Sequence, residues 1–479
     1  MSEFSQMLES YVNEKKVNKF QMAKYLSIDR SSLHKIIQGQ RNAPSKNLVI
    51  RMGKYLELSP YELNELLELY SISLISPQRY YRRKNVQLFL ESFDPNPSLI
   101  EMPSFQASDL PNLNRSVIPL RANGIHLEHL LYQINEREKE SGKGTIRFLG
   151  TPELPGFENL FSQLTAGTQV KHILPFVRYE NAADYKNDQN FLYLSKVVSV
   201  YAQFSDRLID YQTSYYYSGE SIRSHFPPFP YWVITSEYAL QLSEDYKEGI
   251  FYQDPDMVAF MAETFDGLWN RTNLLLIPVQ DGLSQLRLNQ ELLKAKTESE
   301  IHFSLVPCLM PFLTRREIEK YLAPKLPDRE KFIDLLDQYI TAICQRHAQV
   351  HPQMIFSLDG IRRFMETGVF DEFPLDLYSP LKMQDRKRIY SRFLQKANQY
   401  EYKLLKENMG TIVNGIRVNL SDSMGFIQFM THTGKVILLS LEHPSFLASF
   451  KDYFETMDPD RFFTSEETIE KLNKLQYSF

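Results

Sequence analysis

The 479-residue sequence holds two cysteines, Cys308 and Cys344. They are far apart and form no Cys-x-x-Cys pair, so neither a disulfide framework nor a zinc site built on them is expected. Two reduced thiols suit a cytoplasmic protein. No apolar stretch approaches the roughly 18 residues that span a membrane, so no membrane partner is expected. The opening residues MSEFSQMLES lack a basic start followed by an apolar run, and no signal peptide is expected. Enzyme signatures are missing too: there is no Gly-x-Ser-x-Gly, no Gly-x-Gly-x-x-Gly and no kinase set. Gly142-Lys143-Gly144-Thr145 approaches a phosphate loop, but Arg137 stands where the first Gly of that pattern belongs. His347 and His351 have i,i+4 spacing, and His126 and His129 also share a helix face, yet no His-Glu-x-x-His accompanies either pair. The expectation is therefore no enzyme, no catalytic residue, no metal site and no cofactor.

What is present describes an ordinary globular chain, with 43% hydrophobic and 24% charged residues. Its length predicts two to four domains. The net charge of −5 hides an asymmetry. Residues 1–92 carry 14 Lys and Arg against 9 Asp and Glu, while the remainder carries 40 against 50. A small basic head on a larger acidic body fits a nucleic-acid module joined to something else.

Apolar residues in the head recur with helical period and predict five short helices. Phe4, Met7, Leu8, Tyr11 and Val12 form the first stripe, and Phe20, Met22, Ala23 and Leu26 the second. Leu33, Ile36 and Ile37 form the third; Leu48, Ile50, Met52 and Leu56 the fourth; Leu63, Leu66, Leu67 and Tyr70 the fifth. Asn18 is placed to cap helix 2 with Gln21 at N3, and Asp29 to cap helix 3. Gly39 ends helix 3. Ser59-Pro60-Tyr61-Glu62 is a capping box with Pro at N1. The short turn Ser27-Ile28-Asp29 between helices 2 and 3 makes a helix-turn-helix core.

Residues 17–63 resemble the Cro/repressor (XRE) family of helix-turn-helix regulators. The matching positions are Met22-Ala23, Leu33, Ile36, Gly39, Pro44 and the seam from Gly53 to Leu56. Ser27 stands where the family usually has Gly, and Ile37 where Glu is frequent. Docking helix 3 in the major groove makes Arg30, Ser31, Ser32, His34 and Lys35 the candidate base readers, with Arg30 suited to guanine. Lys19, Gln40, Arg41 and Asn42 are the candidate phosphate contacts. The resemblance implies the same contacts.

Residues 71–116 are expected to be a connector. QRYYRRKNVQLFLESF (78–93) suggests a helix that touches DNA, pairs two subunits or is simply solvated, and the proline-rich stretch from 94 to 114 suggests a linker. Beyond 117 the pattern turns to α/β. Strands are expected in 142–154, 170–179 and 230–245, helical period in 191–217, and a helix capped by Asp254 with Pro255 at N1. A strand, turn, strand and helix recur at 424–458, and Pro255, Ala259 and Phe265 align with Pro444, Ala448 and Phe454. Two related halves are suggested, 117–290 and 291–479. Residues 315–408 look mostly helical, with long helices over 328–349 and 383–408, and a last helix follows the capping box Thr464 to Glu467. The first half, with its helix ending Phe265-Asp266-Gly267-Leu268-Trp269, resembles the effector domain of TrmB-type regulators, itself similar to phospholipase D halves. No histidine is followed two residues later by Lys, so the phospholipase D signature is missing.

The expected fold class is α plus α/β: an all-α five-helix domain over residues 1–70 and a larger α/β region that senses a ligand. The expected function is a dimeric, sequence-specific transcriptional regulator whose partners are an operator in double-stranded DNA and a small-molecule or peptide effector. An enzyme recruited to DNA, or a protein-interaction module with a helix-turn-helix fold, are the alternatives.

Overall fold

The computed structural model describes residues 2–94, 116–121, 124–141, 144–157, 159–162, 164, 166–178, 185–186, 188–204, 209–218, 229–279, 282–294, 296–407, 415–431, 435–476 and 479. The chain forms two compact units, Met1–Asn85 with Tyr179–Asp188, and Val86–Arg178 with Gln189–Phe479.

The first unit opens with five helices: α1 (Glu3–Glu14), α2 (Lys19–Leu26), α3 (Arg30–Ile37), α4 (Lys46–Tyr55) and α5 (Pro60–Leu74). Local chemistry starts each one. Asn18 accepts from the amides of Phe20 and Gln21, Asp29 from those of Ser31 and Ser32, and Ser59 forms the reciprocal capping box with Glu62. One side-chain stripe from each helix, including Phe4, Leu8, Met22, Leu33, Val49, Met52 and Leu66, is fully buried in a common core. Each such side chain stabilises the fold by about 1.5–3 kcal/mol.

The ends of these helices use a device the sequence does not advertise. After α2, the amide of Ile28 reaches the Ala23 carbonyl at 3.1 Å and that of Ser27 reaches Lys24 at 3.2 Å. This is the Schellman pattern, and Ser27 lies in the left-handed region at φ 57°. Lys16 and Glu57 close α1 and α4 in the same way, at φ 48° and 50°. At the end of α3 the position is filled by Gly39, φ 66°.

The connector is one helix, α6 (Pro77–Ser92). In the first unit Arg82 bonds to the Tyr185 hydroxyl at 3.0 Å, and Lys84 pairs with Glu68 at 2.9 Å. In the second unit Val86, Phe89 and Leu90 belong to the main core, whereas Leu88 is exposed. Val86, Phe89 and Phe93 of its apolar stripe thus enter the chain's own core. The expected linker lies outside the described residues, apart from Asp94.

Among the described residues, the second unit carries a 14-stranded sheet in the order β1-β7-β6-β5-β2-β3-β4-β8-β14-β13-β12-β9-β10-β11. Its strands are β1 (Val117–Arg121), β2 (Thr145–Leu149), β3 (Gln169–Val177), β4 (Asp210–Ser218), β5 (Tyr231–Ile234), β6 (Ala239–Leu242), β7 (Glu248–Tyr252) and β8 (Asn273–Val279). The remainder are β9 (Ile301–Phe303), β10 (Gln353–Phe356), β11 (Glu401–Leu404), β12 (Arg417–Leu420), β13 (Gly425–Met430) and β14 (Val436–Leu441). Among the helices, α7 (Gly124–Ser141), α8 (Asn159–Ser162) and α9 (Gln189–Phe204) precede β4, and α10 (Pro255–Trp269) follows β7. Next come α11 (Gly282–Lys294), α12 (Arg315–Tyr321), α13 (Arg329–Val350), α14 (Leu358–Thr367) and α15 (Met383–Gln395), then α16 (Pro444–Glu455) and α17 (Ser465–Gln476). The observed class is α plus α/β.

The strand order repeats. β2, β3 and β4 are parallel, and β5 runs antiparallel on the other side of β2, continuing into the meander β5-β6-β7. β9, β10 and β11 are likewise parallel, and β12 runs antiparallel beside β9, continuing into β12-β13-β14. The registers agree residue by residue. Ile234 pairs with Ala239 as Leu420 pairs with Gly425, across turns of equal length. Ala239 opposes Tyr252, and Gly425 opposes Leu441; three residues after each partner a proline opens a helix, Pro255 and Pro444. The correspondence of these prolines, expected from sequence, is thus fixed by the sheet.

Two expectations are corrected. The helical period of 191–217 ends with α9 at Phe204, and Asp210–Ser218 is β4, held between β3 and β8. The long helix expected over 383–408 stops at Gln395, and Glu401–Leu404 becomes β11, burying Tyr402 and Leu404 by alternation. In both cases pairing with a remote strand outweighs local helical preference.

Candidate nucleic-acid interface and a buried polar cavity

Asp29 opens α3. Its carboxylate accepts the amides of Ser31 at 3.0 Å and Ser32 at 3.1 Å, and the hydroxyls of Ser31 and Ser32 at 3.1 and 2.8 Å. The Ser32 hydroxyl, then these amides, pull its pKa down to about 2. The carboxylate at the start of the presented helix is thereby engaged by the amides and hydroxyls of its own first turn. Arg30, Ser31, His34 and Lys35 stand exposed on that face, and Ser32 is half-buried. Because both serine hydroxyls donate to Asp29, they offer oxygen lone pairs outward. Leu33, Ile36 and Ile37 on the opposite side are buried. At the far end, Gln38 Nε2 donates to Glu9 on α1 at 2.7 Å, which fixes the tilt of α3.

Of the residues expected at phosphates, Gln40, Arg41 and Asn42 are exposed in the loop after α3, and Lys19 is half-buried at the start of α2. Asn42 also has an internal role, since its amide donates to the Ser73 carbonyl at 3.2 Å and ties the loop to α5.

The second unit holds a site that the sequence reading missed. Side chains alternate across a strand, so Glu300 and His302 at β9, Arg417 and Asn419 on β12, and Phe426 and Gln428 on β13 share one face. All six line a cavity of about 90 Å³, closed by Gln285 and Asn289 of α11, by Tyr339, Arg346 and His347 of α13, and by Glu372. Such a volume holds a few waters or a small ligand. The opposite face of the same strands, including Ile301, Phe303, Val418 and Ile427, enters the main core.

Two charged clusters line this cavity. At one, Arg417 pairs with Glu372 and donates to the Val306 carbonyl at 2.6 Å, while Gln285 and Gln428 donate to the Glu372 carbonyl at 3.0 and 2.8 Å. Burial alone would lower the Arg417 pKa, but the adjacent Glu372 carboxylate raises it, so the guanidinium stays charged. At the other, Glu300 Oε2 lies 3.5 Å from both His302 Nε2 and His347 Nε2. The other oxygen of Glu300 is held by Arg346, which also donates to the Leu293 carbonyl at 3.1 Å. His347 Nδ1 contacts the Tyr400 hydroxyl at 3.2 Å. Burial pushes the His347 pKa below the usual histidine range, so its imidazole is neutral at neutral pH. Glu372 Oε2, Arg417 Nε and His347 Nε2 are buried with no hydrogen-bond partner among the described residues.

The repeat shows what is unusual here. By sheet register, Glu300, His302, Asn419 and Gln428 correspond to Ile146, Phe148, Val233 and Leu242 of the first half. Those four are buried in apolar core. One half has filled this face; the other has kept it polar and hollow. The signal in sequence is polar residues alternating with apolar ones in Glu-Ile-His-Phe and Arg-Val-Asn-Leu, with Gln428 set in the apolar strand Phe-Ile-Gln-Phe.

Of the histidine pairs suggested by helical spacing, His347 and His351 are not brought together. His351 lies at the end of α13 with φ 50° and is exposed, whereas His347 faces His302. His129 contacts Gln133 at 2.6 Å, and the side chain of His126 lies outside the described residues. No described helix is long and apolar enough to cross a membrane.

No family model matches this chain, and no curated protein matches it. Among solved structures it is similar to TrmBL2, described as an archaeal chromatin protein with a novel mode of DNA binding, at 14% identity and a TM-score of 0.22, over 52% of this chain and 84% of the other. It is also similar to a phosphatidylserine synthase of Haemophilus influenzae Rd KW20, at 10% identity and a TM-score of 0.21, over 76% of this chain and 92% of the other.

Proposed function

We propose that the chain is a sequence-specific DNA-binding transcriptional regulator of the Cro/repressor type, acting as a homodimer on a two-fold operator, with the cavity of the second unit as its effector site. One observation carries the reading of DNA binding: α3 presents Arg30, Ser31, His34 and Lys35 outward from a capped, rigidly seated helix, after a tight turn from α2. A major groove admits such a helix, and its first residues reach base edges. Arg30 is the guanine reader, and Lys19, Gln40 and Arg41 set register on phosphates. The proposed effector is small and polar, because the cavity is small and its walls are charged and amidic. No catalytic role is assigned.

The test is selection of bound fragments from a random duplex pool by the purified full-length chain at two salt concentrations. The expected result is an enriched palindrome with half-sites about one helical turn apart. Arg30→Ala should lose about 1–3 kcal/mol, roughly 5- to 150-fold, at one base pair of each half-site. Arg41→Ala should weaken all sequences alike and reduce the salt slope by about one. Unchanged base preference in Arg30→Ala would refute the docking, and the absence of any salt-dependent DNA affinity would favour a protein-binding module instead.

A further inference from the structure

We propose that Glu300, His302 and His347 bind one divalent transition-metal ion of the zinc class, with a coordination position left open to the cavity. The proposal deepens the reading of this cavity as a ligand site and is independent of DNA binding. The three donor atoms lie within 4.8 Å of one another. Both imidazole nitrogens stand 3.5 Å from the same carboxylate oxygen. Zinc bonds of about 2.0–2.2 Å arranged tetrahedrally place ligand atoms roughly 3.3 Å apart, so the two edges from Glu300 need little closure.

Three further features fit a metal better than a set of ion pairs. His347 Nε2 is completely buried and has no hydrogen-bond partner among the described residues, although it points at the carboxylate. If His347 Nδ1 donates its proton to the Tyr400 hydroxyl, Nε2 turns a lone pair toward Glu300. Two lone pairs facing each other repel, and a cation between them removes the conflict. Outer contacts of the kind that orient ligands are in place: Tyr400 on His347 and Arg346 on the far oxygen of Glu300. The ligands also come from rigid elements, with His302 inside the paired strand β9 and His347 in the last turn of the 22-residue helix α13.

The ligand set of two imidazoles and one carboxylate leaves the fourth tetrahedral position vacant for water or an effector oxygen. Imidazole donors favour zinc, copper, iron or nickel over magnesium or calcium. The first half has Ile146 and Phe148 at the matching positions, so the site belongs to one half alone.

The experiment titrates Co²⁺ and then Zn²⁺ into the chelator-treated full-length chain. Expected are one ion per chain, the strong visible absorption of four-coordinate cobalt, and its displacement by Zn²⁺. His302→Ala should lower affinity by well over tenfold, and Tyr400→Phe, which removes an outer contact, by about 10- to 100-fold. X-ray absorption of the zinc-loaded wild-type chain should show two imidazoles and oxygen donors, which decides the matter even if a variant fails to fold. No binding, unchanged affinity in both variants, or a shell without imidazole would overturn the proposal. Any of these would leave operator selection by the same protein unaffected, so failure here is distinct from failure of the DNA-binding reading.

Discussion

Replacing Ser27 by glycine should make the helix-turn-helix more stable without altering what it binds. Ser27 closes α2 with φ 57° and ψ 41°, and its backbone makes the Schellman contacts to Lys24 and leads Ile28 to Ala23. An L-residue in this region costs about 1–2 kcal/mol, because its Cβ crowds the following carbonyl. Glycine removes that cost but gives the unfolded chain more freedom, which returns roughly 0.5–1 kcal/mol. The net gain for Ser27→Gly is therefore about 0.5–1 kcal/mol. Amide exchange in the full-length chain reads this locally, as α2 and α3 amides exchanging about two- to fivefold more slowly where they report opening of this unit. Arg30, Ser31, His34 and Lys35 keep their places, so base preference on the selected operator should not move. Slower exchange with unchanged preference supports the argument. Unchanged or faster exchange would refute it, because the turn would then not be held at a strained angle.

Other predictions follow from the buried polar groups. Arg417→Ala leaves the Glu372 carboxylate buried without its guanidinium and removes the bond to the Val306 carbonyl; urea unfolding should show a loss of about 3–5 kcal/mol, and a loss under 1 kcal/mol would mean that the pair is hydrated. His172 is fully buried between Tyr211 and the Gly150 carbonyl, and burial pushes its pKa down to about 3. An unfolded histidine titrates near 6.5, so between roughly pH 6.5 and 3 the unfolded state binds the extra proton and stability falls with acidification by about 1.4 kcal/mol per unit. His172→Gln should lack this increment of the acid slope, measured as the urea midpoint at pH 7 and at pH 5; identical slopes would show that His172 is protonated in the fold.

The parts of the molecule that sequence made legible are those governed by neighbours three or four residues away. The caps at Asn18, Asp29, Ser59, Asp254 and Thr464 sit where expected, because each serves amides of its own first turn. Helical stripes in the first unit were equally plain, since each helix buries one face. Strand β11 was hidden in a helical run because its stabilisation comes from β10, about fifty residues earlier in the chain. The closures at Lys16, Ser27 and Glu57 were hidden because none is the glycine that usually marks them.

The sequence by itself determined the five helices of the first unit, the outward residues of α3 and the kinship of Pro255 with Pro444, all through short-range hydrogen bonding and periodicity. Tertiary structure alone decided the cavity. Glu300, His302, His347, Glu372, Arg417 and Gln428 are spread over more than a hundred residues, and nothing in their spacing joins them. They meet because sheet register puts β9, β12 and β13 side by side with one face turned toward α11 and α13, while the other face of these strands is buried in the main core.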